Sequence, residues 1–247
     1  MNSDKYKYKS TYYYNGRPGY PKKLYQFLKR NLDIQNQNVV DMGAGTGILS
    51  QNLLENNNFV YLVEPNIEML KLAKKALKFS ENKILYNCYA ENTCIPSNTI
   101  DTVIAAQSYH WFDNKKIKLE IERILKNKGL VVLIWNELKS DTPITQSYKN
   151  LLKQYSNYDP NLDDILKYQK QIEFDFNKTI NTEIFEHSQN LNHQEFIERV
   201  LSSSFSPNNK NAQFPQFLND IKHIFSKHSK NGIVTMFLQT HLFYFYI

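Results

Sequence analysis

The chain of 247 residues is poor in cysteine, with only Cys88 and Cys94. Two cysteines cannot form the framework of several disulfides that holds small secreted domains together, and they are too few for a zinc site of four thiolates. The histidines other than His110 show no metal-ligand spacing to acids or cysteines. We therefore expect two reduced thiols and no bound metal.

Long apolar runs are also missing. The longest, residues 233–247, is interrupted by Gln239, Thr240 and His241 and is shorter than the roughly 20 residues of a membrane-spanning helix. The N-terminal residues MNSDKYKYKS lack the apolar core of a secretory signal. The sequence therefore predicts a protein without membrane attachment and with a cytoplasmic location.

Arginine is scarce although the chain is basic, with a formal net charge of +6. Only four of its 30 basic residues are arginines, and the lysines are spread along predicted helices, where a solvated face is the usual explanation. Only residues 5–14 alternate basic and aromatic side chains as surfaces for single-stranded nucleic acid do. A nucleic-acid partner is therefore disfavoured. The choice between monomer and homodimer is left open.

Glycine is rare as well, yet three of the seven glycines lie on alternate positions of VVDMGAGTG, residues 39–47. An apolar pair predicts a buried strand before the glycines, and the apolar spacing after them predicts a helix. A strand, a glycine loop and a helix N-terminus together direct backbone N–H groups at a ligand. We expect a Cβ at Gly43 or Gly45 to block that ligand.

The glycine spacing distinguishes between ligands. A dinucleotide loop has the pattern G-x-G-x-x-G, but the sixth position from Gly43 is Ile48 and the sixth from Gly45 is Ser50. The pattern D-x-G-x-G-x-G instead resembles motif I of class I methyltransferases that use S-adenosylmethionine (SAM). The resemblance implies SAM as cofactor, methyltransferase activity and a Rossmann-like α/β fold. That fold is a doubly wound, mostly parallel seven-stranded sheet with helices on both faces and a helical lid insertion.

The same resemblance implies a set of cofactor-binding residues. Glu64 ends the second predicted strand, 21 residues after Gly43, where a carboxylate accepts hydrogen bonds from a ribose diol. The A-E-x-x-x-P…D-x-V region beginning at Ala90 is expected near the adenine. Tyr89 stands where many relatives have Asp, so the adenine amino group has three candidate partners: the Glu91 carboxylate, the Ala90 backbone or the Tyr89 ring. The expected cofactor residues are Asp41, Gly43, Ala44, Gly45, Gly47, Glu64, Pro65, Ala90, Glu91 and Gln107.

The string A-Q-x-x-H-W-F, residues 106–112, resembles a small-molecule subgroup of the Methyltransf_11 type that includes trans-aconitate methyltransferase-like proteins. RPGYP at residues 17–21 and RVLSSSFSP at residues 199–207 fit the same resemblance. It implies a small-molecule methyl acceptor, for which a carboxylic acid is one candidate. The alternatives are an RNA or protein methyltransferase and a non-catalytic SAM-fold binding protein.

Residues for the reaction follow from this placement. His110 is the candidate catalytic residue, either as a general base or as a hydrogen-bond donor, and the alternative is that it only orients the loop or packs under Trp111. Tyr13 and Trp111 are candidates for facing the substrate or the sulfonium with their rings, with packing in the core as the alternative. Arg17 and Arg199 are candidates for clamping a carboxylate, with ordinary salt bridges as the alternative.

We expect a single domain over residues 1–247. Its parts are an N-terminal cover at 1–35, a cofactor-binding core at 36–136, a lid insertion at 141–180 and C-terminal strands and helices at 181–247. Asn66 is expected to cap one helix of the core. Asn114 is expected to cap a helix over residues 115–126, with a strand at 130–135 after it.

Overall fold

The computed structural model describes residue 12, residues 16–159 and residues 165–247, without the side chain of Leu166. Tyr13, an expected substrate residue, lies outside this part of the chain. Within the described residues, no helix is both long enough and apolar enough to cross a membrane.

One seven-stranded sheet has the order β3-β2-β1-β4-β5-β7-β6. The first five strands run parallel to their neighbours, and β7 lies antiparallel between β5 and β6. This confirms the predicted fold class. The strands are β1 Asn38–Met42, β2 Phe59–Val63, β3 Lys83–Tyr86, β4 Ile100–Ala106, β5 Leu125–Leu138, β6 Asn181–Leu191 and β7 Val234–Tyr246.

Helices cover both faces of this sheet. Successive strand residues point to opposite faces, and apolar side chains on both faces are buried against helices. Val39 packs with α1 and α2 on one face, whereas Val40 packs with α4 on the other. The helices are α1 Lys22–Arg30, α2 Ile48–Glu55, α3 Ile67–Ala76, α4 Asn114–Ile124, α5 Pro143–Tyr155, α6 Ile165–Phe176, α7 His193–Leu201 and α8 Phe214–His228.

The two helices of the segment predicted as a lid insertion, residues 141–180, pack in two different hydrophobic cores. The first insertion helix, α5, packs with α7 and α8 through Leu152, Val200 and Phe217, which are all buried. The second, α6, packs on the sheet, where the Phe176 and Phe245 rings lie 4.9 Å apart. Buried apolar side chains thus anchor α5 on the C-terminal helices and α6 on the sheet.

Helix capping agrees with the sequence at one helix and differs at another. The Asn66 side chain accepts hydrogen bonds from the Glu68 and Met69 N–H groups, which confirms that cap. The prediction that Asn114 caps α4 was wrong. The preceding Asp113 does so, because its carboxylate is the group that reaches the N–H groups at the start of the helix, at 3.1 Å.

The turn between α4 and β5 also differs from the prediction. The helix ends at Ile124 instead of residue 126, and β5 begins at Leu125 instead of residue 130. The reason is that Leu125 already pairs with Ile100 of β4, and the register then shifts before Thr102 pairs with Leu130.

Gly43, in the loop after β1, is predicted to tolerate no side chain. Its φ is +73°, and a Cβ there would lie 2.5 Å from the Ser108 Cβ. Gly232 is a matched control, with φ +75° and open space around its Cβ position. We expect Gly232→Ala to lower the free energy of unfolding by about 1–2 kcal/mol through backbone strain. Gly43→Ala should lower it by about 1–3 kcal/mol more because of the clash with Ser108. Urea unfolding of the two variants measures the difference, and equal losses would contradict the clash.

Candidate functional site

The glycine loop at the end of β1 is held open by three left-handed residues. The backbone φ angles of Gly43, Gly45 and Gly47 are +73°, +56° and +82°, in a region that residues other than glycine rarely adopt. The Gly43 and Ala44 N–H groups both donate to the Val63 carbonyl, at 2.8 and 3.0 Å. Because a Cβ at Gly43 would meet Ser108, this glycine is required by the protein's own packing, whatever the loop binds.

Two buried acids flank the loop. Asp41 is 1% exposed and accepts a hydrogen bond from the Ser50 hydroxyl at 2.6 Å, and burial raises the pKa of its carboxyl to about 6. Its side chain therefore supports the loop from below and does not reach its outer surface.

Glu64, at the end of β2, is the second acid. Its two oxygens accept hydrogen bonds from the Gly45 N–H at 2.9 Å and the Asn66 N–H at 2.8 Å. Burial raises the pKa of the Glu64 carboxyl, and these two hydrogen bonds oppose the rise. A carboxylate accepts about four hydrogen bonds, so two acceptor positions remain, the number that a ribose diol uses.

The predicted adenine side contains a second carboxylate with acceptor capacity. Glu91 Oε1 accepts a hydrogen bond from the Asp113 N–H at 2.9 Å, whereas Oε2 is buried without a hydrogen-bond partner among the described residues. Ala90 is buried, and Tyr89 is half exposed. Pro65 follows Glu64, and its carbonyl accepts from the Asn87 side chain at 2.9 Å. Of the three candidates for the adenine amino group, Glu91 thus has a buried side-chain acceptor without a partner among the described residues.

The segment after β4 connects the loop to a cavity. Ser108 contacts the glycine loop and donates to the Met42 carbonyl at 2.6 Å. Just before it, Gln107 has a φ of +58° and its side chain donates to the Asn136 carbonyl at 2.8 Å. Just after it, Tyr109–Trp111 forms a single 3₁₀ turn. The glycine loop and the side chains of this turn are therefore held in one rigid arrangement.

His110 is oriented by a tryptophan. The Trp135 Nε1–H donates to His110 Nδ1 at 3.3 Å, and an indole can only donate, so Nδ1 is the bare nitrogen of the ring. A neutral His110 then carries its proton on Nε2. Desolvation by the surrounding walls lowers the pKa of His110 below its ordinary value of 6.5, and the positive charge of Arg17 adds to this effect. The residue nevertheless keeps an exposed part where it lines the cavity.

A cavity of about 220 Å³ lies over the carboxyl ends of β4 and β5. It brings together five residues that the sequence analysis selected: Arg17, Gln107, His110, Trp111 and Arg199. The residues that it adds are Trp135, Asn136, Glu137, Leu138, Tyr148, Lys149, Leu152, Tyr158, Ile165, Tyr168, Ser203, Ser204 and Phe205.

Positive charge and aromatic rings dominate this wall. Arg17, Lys149 and Arg199 come from three different parts of the chain. The Arg199 guanidinium lies 5.8 Å from the centre of the Tyr148 ring, and an Arg17 nitrogen donates to the Ser202 carbonyl at 3.3 Å. The carboxylate in the wall, Glu137, has an oxygen 3.3 Å from His241 Nε2. The wall thus combines three basic side chains, one carboxylate and several aromatic rings.

Ser203, Ser204 and Phe205 lie in the segment 199–207 that the resemblance had indicated, but most of the other added residues gave no local signal in the sequence. Lys149 and Tyr148 lie on α5 and Tyr168 lies on α6, so their convergence depends on how the insertion folds back over the sheet. Trp135 had a weak signal, because it ends the predicted fifth strand and side chains there face the ligand edge of an open α/β sheet.

Neither metal nor disulfide chemistry is visible in the described part of the chain. No group of three His, Cys, Asp or Glu side chains is arranged there to hold a metal ion. Cys88 and Cys94 are both free thiols.

Comparison with known proteins identifies the central part of the chain. Residues 40–133 match a family model described as a methyltransferase domain. This part of the chain is therefore similar to methyltransferase domains. The match to a methyltransferase model agrees with SAM, the cofactor that the glycine pattern predicts.

Relatives and solved structures extend this assignment. An uncharacterized methyltransferase of Mycobacterium tuberculosis is 35% identical over 124 residues, 50% of this chain and 49% of that protein. A malonyl-[acyl-carrier protein] O-methyltransferase of Hamiltonella defensa is 27% identical over 51% of this chain and 48% of its own length. The chain thus spans about half the length of these relatives.

A solved structure shares the fold over a longer stretch. The putative type II methyltransferase from Anaeromyxobacter dehalogenans superposes with a TM-score of 0.65, covering 92% of this chain and 97% of its own, at 16% identity. Identity this low establishes the common fold, including the strands and helices beyond the methyltransferase domain, and nothing further.

Glu64 is predicted to control cofactor affinity. We expect Glu64→Gln to weaken binding of S-adenosylhomocysteine, the demethylated cofactor, by about 10–100-fold, because a charged acceptor is lost and the amide presents N–H to backbone donors. Calorimetric titration measures this affinity. Glu68→Gln is the control, since Glu68 is an exposed acid paired with Lys71 on the next helix. Unchanged affinity in Glu64→Gln would contradict the assigned role.

His110 is predicted to stay neutral throughout the physiological pH range. Because its pKa is lowered, the uncharged ring persists as the pH falls through 6.5, and kcat/KM should show no loss near that pH that depends on His110. The measurement is the pH profile of methyl transfer in the wild type and in His110→Gln. An acidic limb near pH 6.5 that disappears in His110→Gln would show instead an ordinary, titrating base.

Proposed function

We propose that the protein transfers a methyl group from SAM to a small-molecule acceptor that carries an acidic group. The observation that carries this proposal is the shared wall between loop and cavity. Ser108 contacts the glycine loop, while Gln107 and His110 on either side of it line the cationic cavity. A cofactor on the loop and an acceptor in the cavity would therefore meet at residues 107–110.

The residues that would hold the cofactor follow from their remaining hydrogen-bonding capacity. Glu64 has two acceptor positions for the ribose diol, and Glu91 Oε2 is an acceptor for the adenine amino group. Gly43, Ala44, Gly45 and Gly47 would bring backbone close to the amino acid tail. Pro65, Ala90 and Gln107 would complete the walls, and Asp41 would act indirectly by holding the loop through Ser50.

The protein's own contribution to catalysis is placement. Bound SAM supplies a methyl group already activated by a positively charged sulfur. Holding an acceptor in line with such a group and excluding water provides several kcal/mol of the barrier reduction. His110, with its proton on Nε2, would donate a hydrogen bond to the acceptor and fix its orientation. A carboxylate is ionised at neutral pH, so an acceptor of that kind needs no general base.

A carboxylic acid is the acceptor class that fits the cavity best. Two arginines and a lysine line one small space, and arginine binds carboxylates through paired hydrogen bonds. The relative from Hamiltonella defensa is named malonyl-[acyl-carrier protein] O-methyltransferase, and a malonyl group attached through one end keeps a free carboxylate at the other. Trp111 and the other aromatic rings would pack against the apolar body of the acceptor. This keeps the trans-aconitate methyltransferase-like subgroup as the working model for the substrate.

The charges of the described residues favour a small acceptor over RNA. Several lysines outside the cavity are paired with acids, such as Lys126 with Asp101 at 2.7 Å and Lys139 with Glu186 at 3.0 Å. Two of the four arginines, Arg17 and Arg199, converge instead in a cavity of about 220 Å³. A cavity of this size fits a metabolite better than an extended nucleic-acid strand.

Arg17 and Arg199 are predicted to bind the acid. A panel of mono- and dicarboxylic acids is screened with SAM labelled in its methyl group, and the acid with the highest kcat/KM is used for the variants. We expect Arg17→Ala and Arg199→Ala each to raise the KM of that acid by about 10–100-fold, because each removes a charged hydrogen-bond donor.

Two controls make this test specific. Arg30→Ala removes an exposed arginine at the end of α1 and should leave the KM unchanged. Affinity for S-adenosylhomocysteine should be unchanged in all three variants, since none of these arginines lies at the glycine loop. Wild-type KM values in both Arg17→Ala and Arg199→Ala would rule out an acid clamp.

A further inference from the structure

Residues 16–21, here called the cover segment, carry Arg17 to the cavity and are anchored by polar contacts. The Gln189 side chain of β6 donates to the Gly16 carbonyl at 3.4 Å, and the Asn136 side chain of β5 donates to the Gly19 carbonyl at 3.1 Å. Between these anchors, Arg17 donates to the Ser202 carbonyl. The position of Arg17 thus depends on contacts on both sides of it.

A hydrogen bond from Thr240 of β7 orients the Asn136 side chain. The Thr240 hydroxyl donates to Asn136 Oδ1 at 2.6 Å, and Thr240 is fully buried. A hydroxyl has a single hydrogen, so its contact with His187 Nε2 at 3.0 Å is one in which the histidine donates. His187, Thr240 and Asn136 therefore form a directional chain across three adjacent strands, β6, β7 and β5.

This chain fixes which way the Asn136 amide faces. Its oxygen is used by Thr240, so its NH₂ group must face the Gly19 carbonyl, which can only accept. The Asn136 backbone carbonyl accepts from the Gln107 side chain on the other side. One residue therefore connects the cover segment with the turn that carries His110.

We propose that Asn136, oriented by Thr240 and His187, is a positioning residue that places Arg17 in the acceptor cavity. The role of Arg17 in acid binding rests on the proposed function, but its placement does not. Gly16 limits the path of the segment on the other side, because a Cβ there would lie 2.5 Å from the Glu198 carbonyl oxygen. Because close packing fixes the chain at Gly16, the hydrogen bond to the Gly19 carbonyl determines the position of Arg17 between them.

The placement is tested by the order of the cover segment in solution. Thr240→Val keeps the shape of the buried side chain and removes the hydroxyl. Thr235→Val is a matched control, because Thr235 on β7 makes the same kind of hydrogen bond, to Asn190 of β6, at 2.8 Å. Backbone NMR order parameters of Arg17 and Gly19 should be about 0.85 in the wild type and Thr235→Val, and should fall toward 0.6 in Thr240→Val.

Thr240→Ser distinguishes the loss of the hydrogen bond in Thr240→Val from a general loss of stability. It loses a buried methyl group but keeps the hydroxyl, so the order of the cover segment should return to the wild-type level even if the protein unfolds more readily. Order parameters near 0.85 in Thr240→Val, or equally low values in Thr240→Ser and Thr240→Val, would overturn the proposal.

A kinetic cycle tests the consequence for the acceptor. With the acid selected by the screen, Thr240→Val should raise KM by about 3–10-fold in the wild-type background and leave it unchanged in Arg17→Ala, with kcat retained. Equal effects of Thr240→Val in the two backgrounds would overturn the proposal. If no acid is methylated, the proposed function fails, and the order parameters alone decide the placement of Arg17.

Discussion

The close approach between the Gly43 loop and the Ser108 turn is the constraint on which the rest of the site depends. No Cβ fits at Gly43, and the Ser108 hydroxyl holds the last carbonyl of β1 at 2.6 Å. Because Gln107 and His110 flank Ser108, the loop and the cavity share one wall. A displacement of the loop would therefore move the acceptor side as well, which makes two binding functions depend on a single packing contact.

Charge is separated across this shared wall. Asp41 and Glu64 lie around the glycine loop, where burial raises the pKa of both carboxyls, and backbone or hydroxyl donors stabilise them. The cavity on the other side is lined by two arginines and a lysine. Neutral hydroxyl groups of a ribose suit the acidic side, and an anionic acceptor suits the basic side. Under the proposed function, the two sides of the wall would bind different ligands.

Local patterns in the sequence predicted those parts of the site that local structure determines. The glycine loop and the acid after β2 follow from a strand that runs into a turn, so spacing along the chain was sufficient. The Asp113 cap was missed because Asp113 and Asn114 are both good capping residues, and only the helix start distinguishes them. Lys149 and Tyr168 could not be predicted, since they reach the cavity through the packing of α5 and α6 on different cores. The chain from His187 to Asn136 depends on the register of three strands, which no single segment encodes.

The most direct test of the shared wall is a crystal structure of the protein with S-adenosylhomocysteine. The account predicts the ribose diol on Glu64, the amino acid tail over Gly43 and Gly45, and the sulfur facing the cavity beside His110. A cofactor bound with its sulfur facing away from Arg17 and Arg199, or bound elsewhere on the protein, would contradict the claim that loop and cavity form one active site.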